Sequence, residues 1–174
     1  MSLVKTALLG LTAAIMVIMV CSQAAENVVS SNCMGCLCEA STRCNTSAGC
    51  TTPYPGGYFC GAFLLSWAFW ADAGKPVIKN DDPEKKGAFE NCAFDLPCAA
   101  RAVRQYMKKF SAGVQGVNND CNGDGKVDCV DFAFMHMLGG FGCHDSSLLT
   151  TDFYKRFDTC WKVVQAATVG GGSS

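Results

Sequence analysis

Cys33-Met34-Gly35-Cys36-Leu37-Cys38 places three cysteines within six residues, and the state of those thiols sets the architecture of the chain. Zinc thiolates and disulfides both use such spacing. The N-terminus chooses between them. Lys5 precedes an apolar run from Ala7 to Val20, followed by a small-x-small site at Ser22 and Ala24. That pattern predicts a secretory signal peptide over residues 1–24, too short for a retained membrane anchor. The exported chain folds in an oxidising compartment, where the cysteines read as bridges.

Cleavage near Ala24 also settles their parity. Cys21 leaves with the leader, which takes the 13 cysteines to 12, an even number that suits complete pairing. The 150 residues that remain of the 174 make one ordinary domain, with a core that bridges reinforce rather than replace. Loss of Lys5 leaves 13 basic against 15 acidic side chains, a net charge of −2, which argues against general nucleic-acid binding. No further segment is apolar enough to predict a membrane span, and a monomer is the default expectation.

Residues 25–32 lack periodicity and read as a flexible N-terminal segment; 165–174, ending in Gly170-Gly-Gly-Ser-Ser174, read as a flexible Gly/Ser tail. The domain is expected over 33–164. Between Cys44 and Cys60 the turn-rich stretch Pro53-Tyr-Pro-Gly-Gly57 predicts a small antiparallel β region. Phe63, Trp67 and Trp70 recur at i, i+4, i+7 and predict a helix that Gly74 and Pro76 stop, with both tryptophans in the core. Asp95 caps a second helix, lined on one face by Ala99, Val103, Tyr106 and Phe110. Arg101, Arg104 and Lys108 on its other face read as a solvated stripe. A third helix is expected from near Cys129 to the Gly139-Gly140 stop, and a fourth from Asp152 to Val164. The fold class is α+β, helix-rich and disulfide-stapled.

Four segments then carry a resemblance: Cys33-Met-Gly-Cys-Leu-Cys38, Cys60-Gly-Ala-Phe63, Trp70-Ala-Asp-Ala-Gly-Lys-Pro76 and Cys98-Ala-Ala-Arg-Ala-Val-Arg-Gln-Tyr-Met107. The cysteine ladder continues through Asp120-Cys-Asn-Gly-Asp-Gly125 and His136-Met-Leu-Gly-Gly-Phe-Gly-Cys143 to Cys160. The chain resembles the invertebrate-type lysozymes of the destabilase family. The resemblance implies a single lysozyme-like domain and the pairs Cys33–Cys129, Cys36–Cys160, Cys38–Cys44, Cys50–Cys60, Cys92–Cys98 and Cys121–Cys143. A further family pair falls on Ala73 and Ala102, and both members are absent together.

Members of that family hydrolyse the β-1,4 bond of peptidoglycan, which needs a carboxylic acid and a carboxylate flanking the bond. The family's acid aligns with Ser41, or with Ala40 counted back from Cys44; its second carboxylate aligns with Tyr54, or with Pro53 counted forward from Cys50. None of these side chains replaces a carboxyl group. Glu39 is a weak substitute, since two residues along a helix turn it about 200° away. The isopeptidase serines of some members align with Gly57 and Phe59, and the accompanying lysine pair with Ser66-Trp67, so no activated serine is implied.

The resemblance therefore implies a secreted, extracellular relative of the peptidoglycan hydrolases of antibacterial defence or digestion, with muramidase activity weak or lost. Two other readings stand beside it: a non-catalytic module binding peptidoglycan or chitooligosaccharides, and an active glycosidase with relocated acids, Glu39 or Asp72. His136 and His144 lack a catalytic constellation and read as structural. Tyr54 in its turn is open to sugar stacking. Asn45-Thr46-Ser47 is a glycosylation sequon in a turn-rich setting. No cofactor is required, but Asp120, Asn122, Asp124, the Lys126 carbonyl, Asp128 and Asp131 match an EF-hand-like loop, with Gly125 at its sharp turn, and predict a structural calcium site.

Overall fold

The computed structural model describes residues 28–111 and 119–170. The leader read at 1–24 lies outside those residues. Helix α1 (Ser31–Thr42) starts where Ser30 Oγ accepts the Cys33 N–H at 3.2 Å. Val29, just before this cap, is fully buried. The expectation of a loose segment through residue 32 is corrected there, because an apolar side chain and a cap fix the entry to the helix.

Three two-residue strands follow, β1 (Cys50–Thr51), β2 (Phe59–Cys60) and β3 (Leu65–Ser66), antiparallel in that order. Cys50 lies opposite Cys60, and Phe59 opposite Ser66. The sheet is held against helix α3 (Ala88–Phe94) by Gly61, whose φ is +75°. A Cβ at Gly61 would lie 1.9 Å from the Ala93 carbonyl oxygen, so only glycine fits this contact.

The helix expected from Phe63 begins later. Leu64 has a φ of +50° and Leu65 pairs with Cys60, so the chain stays out of helix until Ser66. Ser66 Oγ then accepts the Phe69 N–H at 3.1 Å and opens helix α2 (Trp67–Asp72). Trp70 is 2% exposed and donates its indole N–H to the Pro76 carbonyl at 2.7 Å, whereas Trp67 is 57% exposed. Assigning both tryptophans to the core is therefore corrected for Trp67, which stands at the start of the shortened helix.

Helix α4 (Leu96–Ser111) is capped by Asp95, whose Oδ1 accepts the Cys98 N–H at 2.8 Å. Ala99, Val103, Tyr106 and Phe110 are all buried along its inner face. Arg101 and Lys108 are exposed opposite them, with Arg104 partly buried. Helix α5 (Cys129–Leu138) ends at Gly139, and Gly140 lies flat on Phe110, where an added Cβ would meet the ring at 2.1 Å. The Gly140 N–H donates to Tyr106 Oη at 2.8 Å.

A 3-10 turn (Ser146–Thr150) leads into helix α6 (Asp152–Gly170), which packs along α1. Its last turns correct the expected loose tail as far as residue 170. Ala166 and Ala167 carry the helix on by propensity where core packing has ended, as the exposed Val163 shows. Six disulfides cross-link the fold: Cys33–Cys129, Cys36–Cys160, Cys38–Cys44, Cys50–Cys60, Cys92–Cys98 and Cys121–Cys143. The first two close loops of 96 and 124 residues. In the chain-entropy account, a loop near that size contributes about 4–5 kcal/mol.

Candidate active-site cleft

The β-turns, α5, α6 and the end of α1 enclose a two-lobed cleft. One lobe, about 290 Å³, is lined by Ser41, Tyr54, His136 and Arg156 among others; the second, about 390 Å³, extends to Asp72 and Phe141. Tyr54, Phe59, Leu64, His136 and Met137 belong to both. Ser41 and Tyr54, singled out by the family resemblance, thus line one lobe together.

Each is placed by local geometry. Ser41 sits in the last turn of α1 and donates to the Leu37 carbonyl at 2.9 Å, with its Oγ 3.3 Å from His136 Nε2. Tyr54 folds back through the turn closed by the Gly57 N–H to Tyr54 carbonyl bond, 3.0 Å. A Cβ on Gly57 would meet the tyrosine ring at 2.7 Å. The ring, 58% exposed, stands edge-on to Phe59 with centroids 5.9 Å apart. Met137 and Phe141 join it as exposed apolar side chains on the rim.

His136 is the polar centre of the shared wall. Its Nε2 lies 2.9 Å from the Phe63 carbonyl, an acceptor, so Nε2 carries the proton and Nδ1 is the bare nitrogen. Nδ1 is buried without a hydrogen-bond partner, and the ring stacks on Phe153 at 5.8 Å. Burial pulls the imidazole from its ordinary 6.5 to about 4, against the Phe63 bond that raises it. The ring is neutral at physiological pH. It does not activate Ser41, whose proton goes to Leu37 while the His136 proton goes to Phe63.

Acids are scarce here. Among the described residues lining the two lobes, Asp72 is the one carboxylate, and its Oδ1 lies 2.8 Å from Lys109 Nζ. Glu39 lines a separate shallow depression against α6, with Lys155, Thr159 and Val163. Ser66 spends its hydroxyl as the α2 cap, and His144 is exposed after Cys143. Asn45 is exposed, its Oδ1 accepting the Ser47 N–H at 3.0 Å.

The loop read as a calcium site is organised around backbone amides instead. Asp131 is fully buried; its Oδ1 accepts from the Cys121 and Asn122 N–H groups at 2.7 and 3.2 Å, and its Oδ2 from Asp128 at 2.8 Å. Asp120 accepts from the Asp124 and Gly125 N–H groups, and Asp128 from Val130. Burial pushes the Asp131 carboxyl up despite those donors. Among the described residues no three His, Cys, Asp or Glu side chains gather to hold a metal ion. The donor set of this loop does not fit calcium, because the residue that would close the shell is turned inward to cap α5.

Arg156, Met137, Phe141 and Phe153 were not anticipated as cleft residues. The available signal was Arg156 itself, a cation three residues beyond Phe153 and one before Phe157 on a helix side otherwise made for the core.

Helices around a very small antiparallel sheet, closed by six disulfides and split by a cleft, define a lysozyme-like protein. The Destabilase family model matches residues 30–160, and the chain belongs to that family, the invertebrate-type lysozymes. It is 30% identical over 125 residues to an invertebrate-type lysozyme of Ruditapes philippinarum, covering 72% of this chain and 78% of that one. A lysozyme of Magallana gigas is 31% identical over 124 residues, 71% of this chain and 76% of its own. The crystal structure of Tapes japonica lysozyme superposes with a TM-score of 0.56 at 27% identity, over 77% of this chain and 89% of that one. Meretrix lusoria lysozyme in complex with Aeromonas hydrophila PliI gives 0.58 at 27% identity, over 75% and 89%. No helix among the described residues is long and apolar enough to cross a membrane.

Proposed function

We propose that this protein is a secreted member of the invertebrate-type lysozymes whose own muramidase activity is weak or lost, and whose cleft binds peptidoglycan or related amino-sugar oligosaccharides. The leader at 1–24 directs export, and six disulfides support an extracellular setting. The observation that carries the reading is the composition of the cleft. Glycoside hydrolysis by either common route needs two carboxyl groups roughly 5–9.5 Å apart. Ser41 and Tyr54 occupy the lobe where the family resemblance implies that pair. Aromatic walls and hydroxyl donors remain, and they suit a sugar ring without cleaving it.

Asp72 is the observation that favours the relocated-acid reading, since it lines the second lobe. Bacterial cell-wall clearing separates the readings. The oxidised protein is expected not to clear a suspension while still being retained on insoluble peptidoglycan. Robust clearing that disappears in Asp72→Asn or Glu39→Gln would establish relocated acids and overturn the proposal. Asn45 is proposed to carry an N-glycan, supported by its exposed sequon; glycosidase treatment of protein secreted from a eukaryotic host should lower its mass.

A further inference from the structure

Arg156 is anchored but not neutralised. Its Nε and Nη2 both donate to the Ala40 carbonyl, at 2.9 and 2.6 Å. This fork holds the guanidinium on the last turn of α1, next to Ser41, where it also lines the lobe. A guanidinium has five N–H donors and cannot shed its charge. No ion pair of Arg156 with a carboxylate occurs among the described residues. The same lobe offers the Thr51 hydroxyl and the aromatic rings of Tyr54, Phe59 and Phe153. Asp72, the one described carboxylate of the cleft, lines the other lobe and is held by Lys109.

A fixed cation beside hydroxyl donors and exposed aromatic surface selects a ring that itself carries an oxyanion. We propose that the lobe around Ser41 and Arg156 is a subsite for a carboxylate-bearing pyranose, with the unspent N–H groups of Arg156 binding the carboxylate. The cleft then distinguishes acidic from neutral oligosaccharides. This rests on the cleft being a sugar-binding site, and it adds which sugar is preferred. Arg156 is half-buried, so water competes for its charge and the preference is finite. A charge-assisted hydrogen bond at such a position corresponds to about tenfold in affinity.

The test is calorimetric titration of the oxidised full-length mature protein with three probes: the N-acetylmuramyl-N-acetylglucosamine disaccharide, its methyl ester, and tri-N-acetylchitotriose. The free acid is expected to bind about tenfold more tightly than its ester. In Arg156→Met that ratio should fall to about one, with the ester and chitotriose affinities retained. A purely structural role for Arg156 would weaken all three probes together and leave the ratio unchanged, overturning the assignment. Equal binding of acid and ester by the unsubstituted protein overturns the inference without needing a variant that folds. In that case retained chitotriose binding leaves the sugar-binding reading standing, whereas no binding of any probe removes both.

Discussion

The two ends of helix α5 use polar atoms in opposite ways. At its N-terminus both Asp131 oxygens are committed to three backbone N–H groups within the chain. At the C-terminal end, where α5 borders the cleft, His136 keeps a bare Nδ1 and the neighbouring Arg156 keeps N–H groups and an unpaired charge. A buried carboxylate saturated by its own backbone is scaffold. Side chains held in place with bonding capacity left over mark where a ligand is to be met.

The sharpest way to break this contrast is Asp131→Ala, which leaves three amides without an acceptor. We expect a loss of about 4 kcal/mol, read by denaturant melts and equal in calcium and in chelator. A loss confined to calcium-containing buffer would restore the metal reading of the loop.

His136 supplies the next largest effect. Its folded-state value of about 4 lies below the ordinary 6.5. The unfolded chain therefore takes up the proton first as pH falls. The stability contribution is present in full above pH 6.5, declines through the window to pH 4, and stays lost below it. The decline should approach about 3 kcal/mol, and a His136→Gln variant should flatten that part of the profile. A wild-type profile already flat between pH 6.5 and 4 would contradict the buried neutral ring.

Gly140→Ala pushes a Cβ into the Phe110 ring at the seam between core and cleft. It should cost about 2 kcal/mol in a thermal or chemical melt. Tyr54→Ala should be smallest in stability, within about 0.5 kcal/mol, because the ring is mostly exposed. Its effect should appear instead as weaker chitotriose binding in calorimetry. A large stability loss would make Tyr54 part of the scaffold.

Helix ends were the most legible part of the sequence, since caps act locally. Asp95 and Gly139 terminate their helices as their residue types require. Phe63 misled because a helical spacing of aromatics cannot announce the positive φ at Leu64 or the pairing of Leu65 with Cys60. The EF-hand-like spacing of the acidic loop was visible, but spacing cannot tell whether Asp131 turns toward a metal or toward the amides of its own chain. Ser41 and Tyr54 were reachable through family resemblance. Arg156 was not, because it meets Ser41 only when α6 lies along α1, and that packing joins residues more than a hundred positions apart.

The bridges Cys33–Cys129 and Cys36–Cys160 give the loop between Cys60 and Cys92 an unusual tolerance of cutting. Lys79, Lys85 and Lys86 are exposed there, open to a trypsin-like protease. One cleavage at any of them adds a water molecule and frees two chain ends, yet the fragments stay joined by two covalent links and by α1 packed along α6. In protease-rich surroundings a nicked molecule would migrate as an intact one until a reductant arrives.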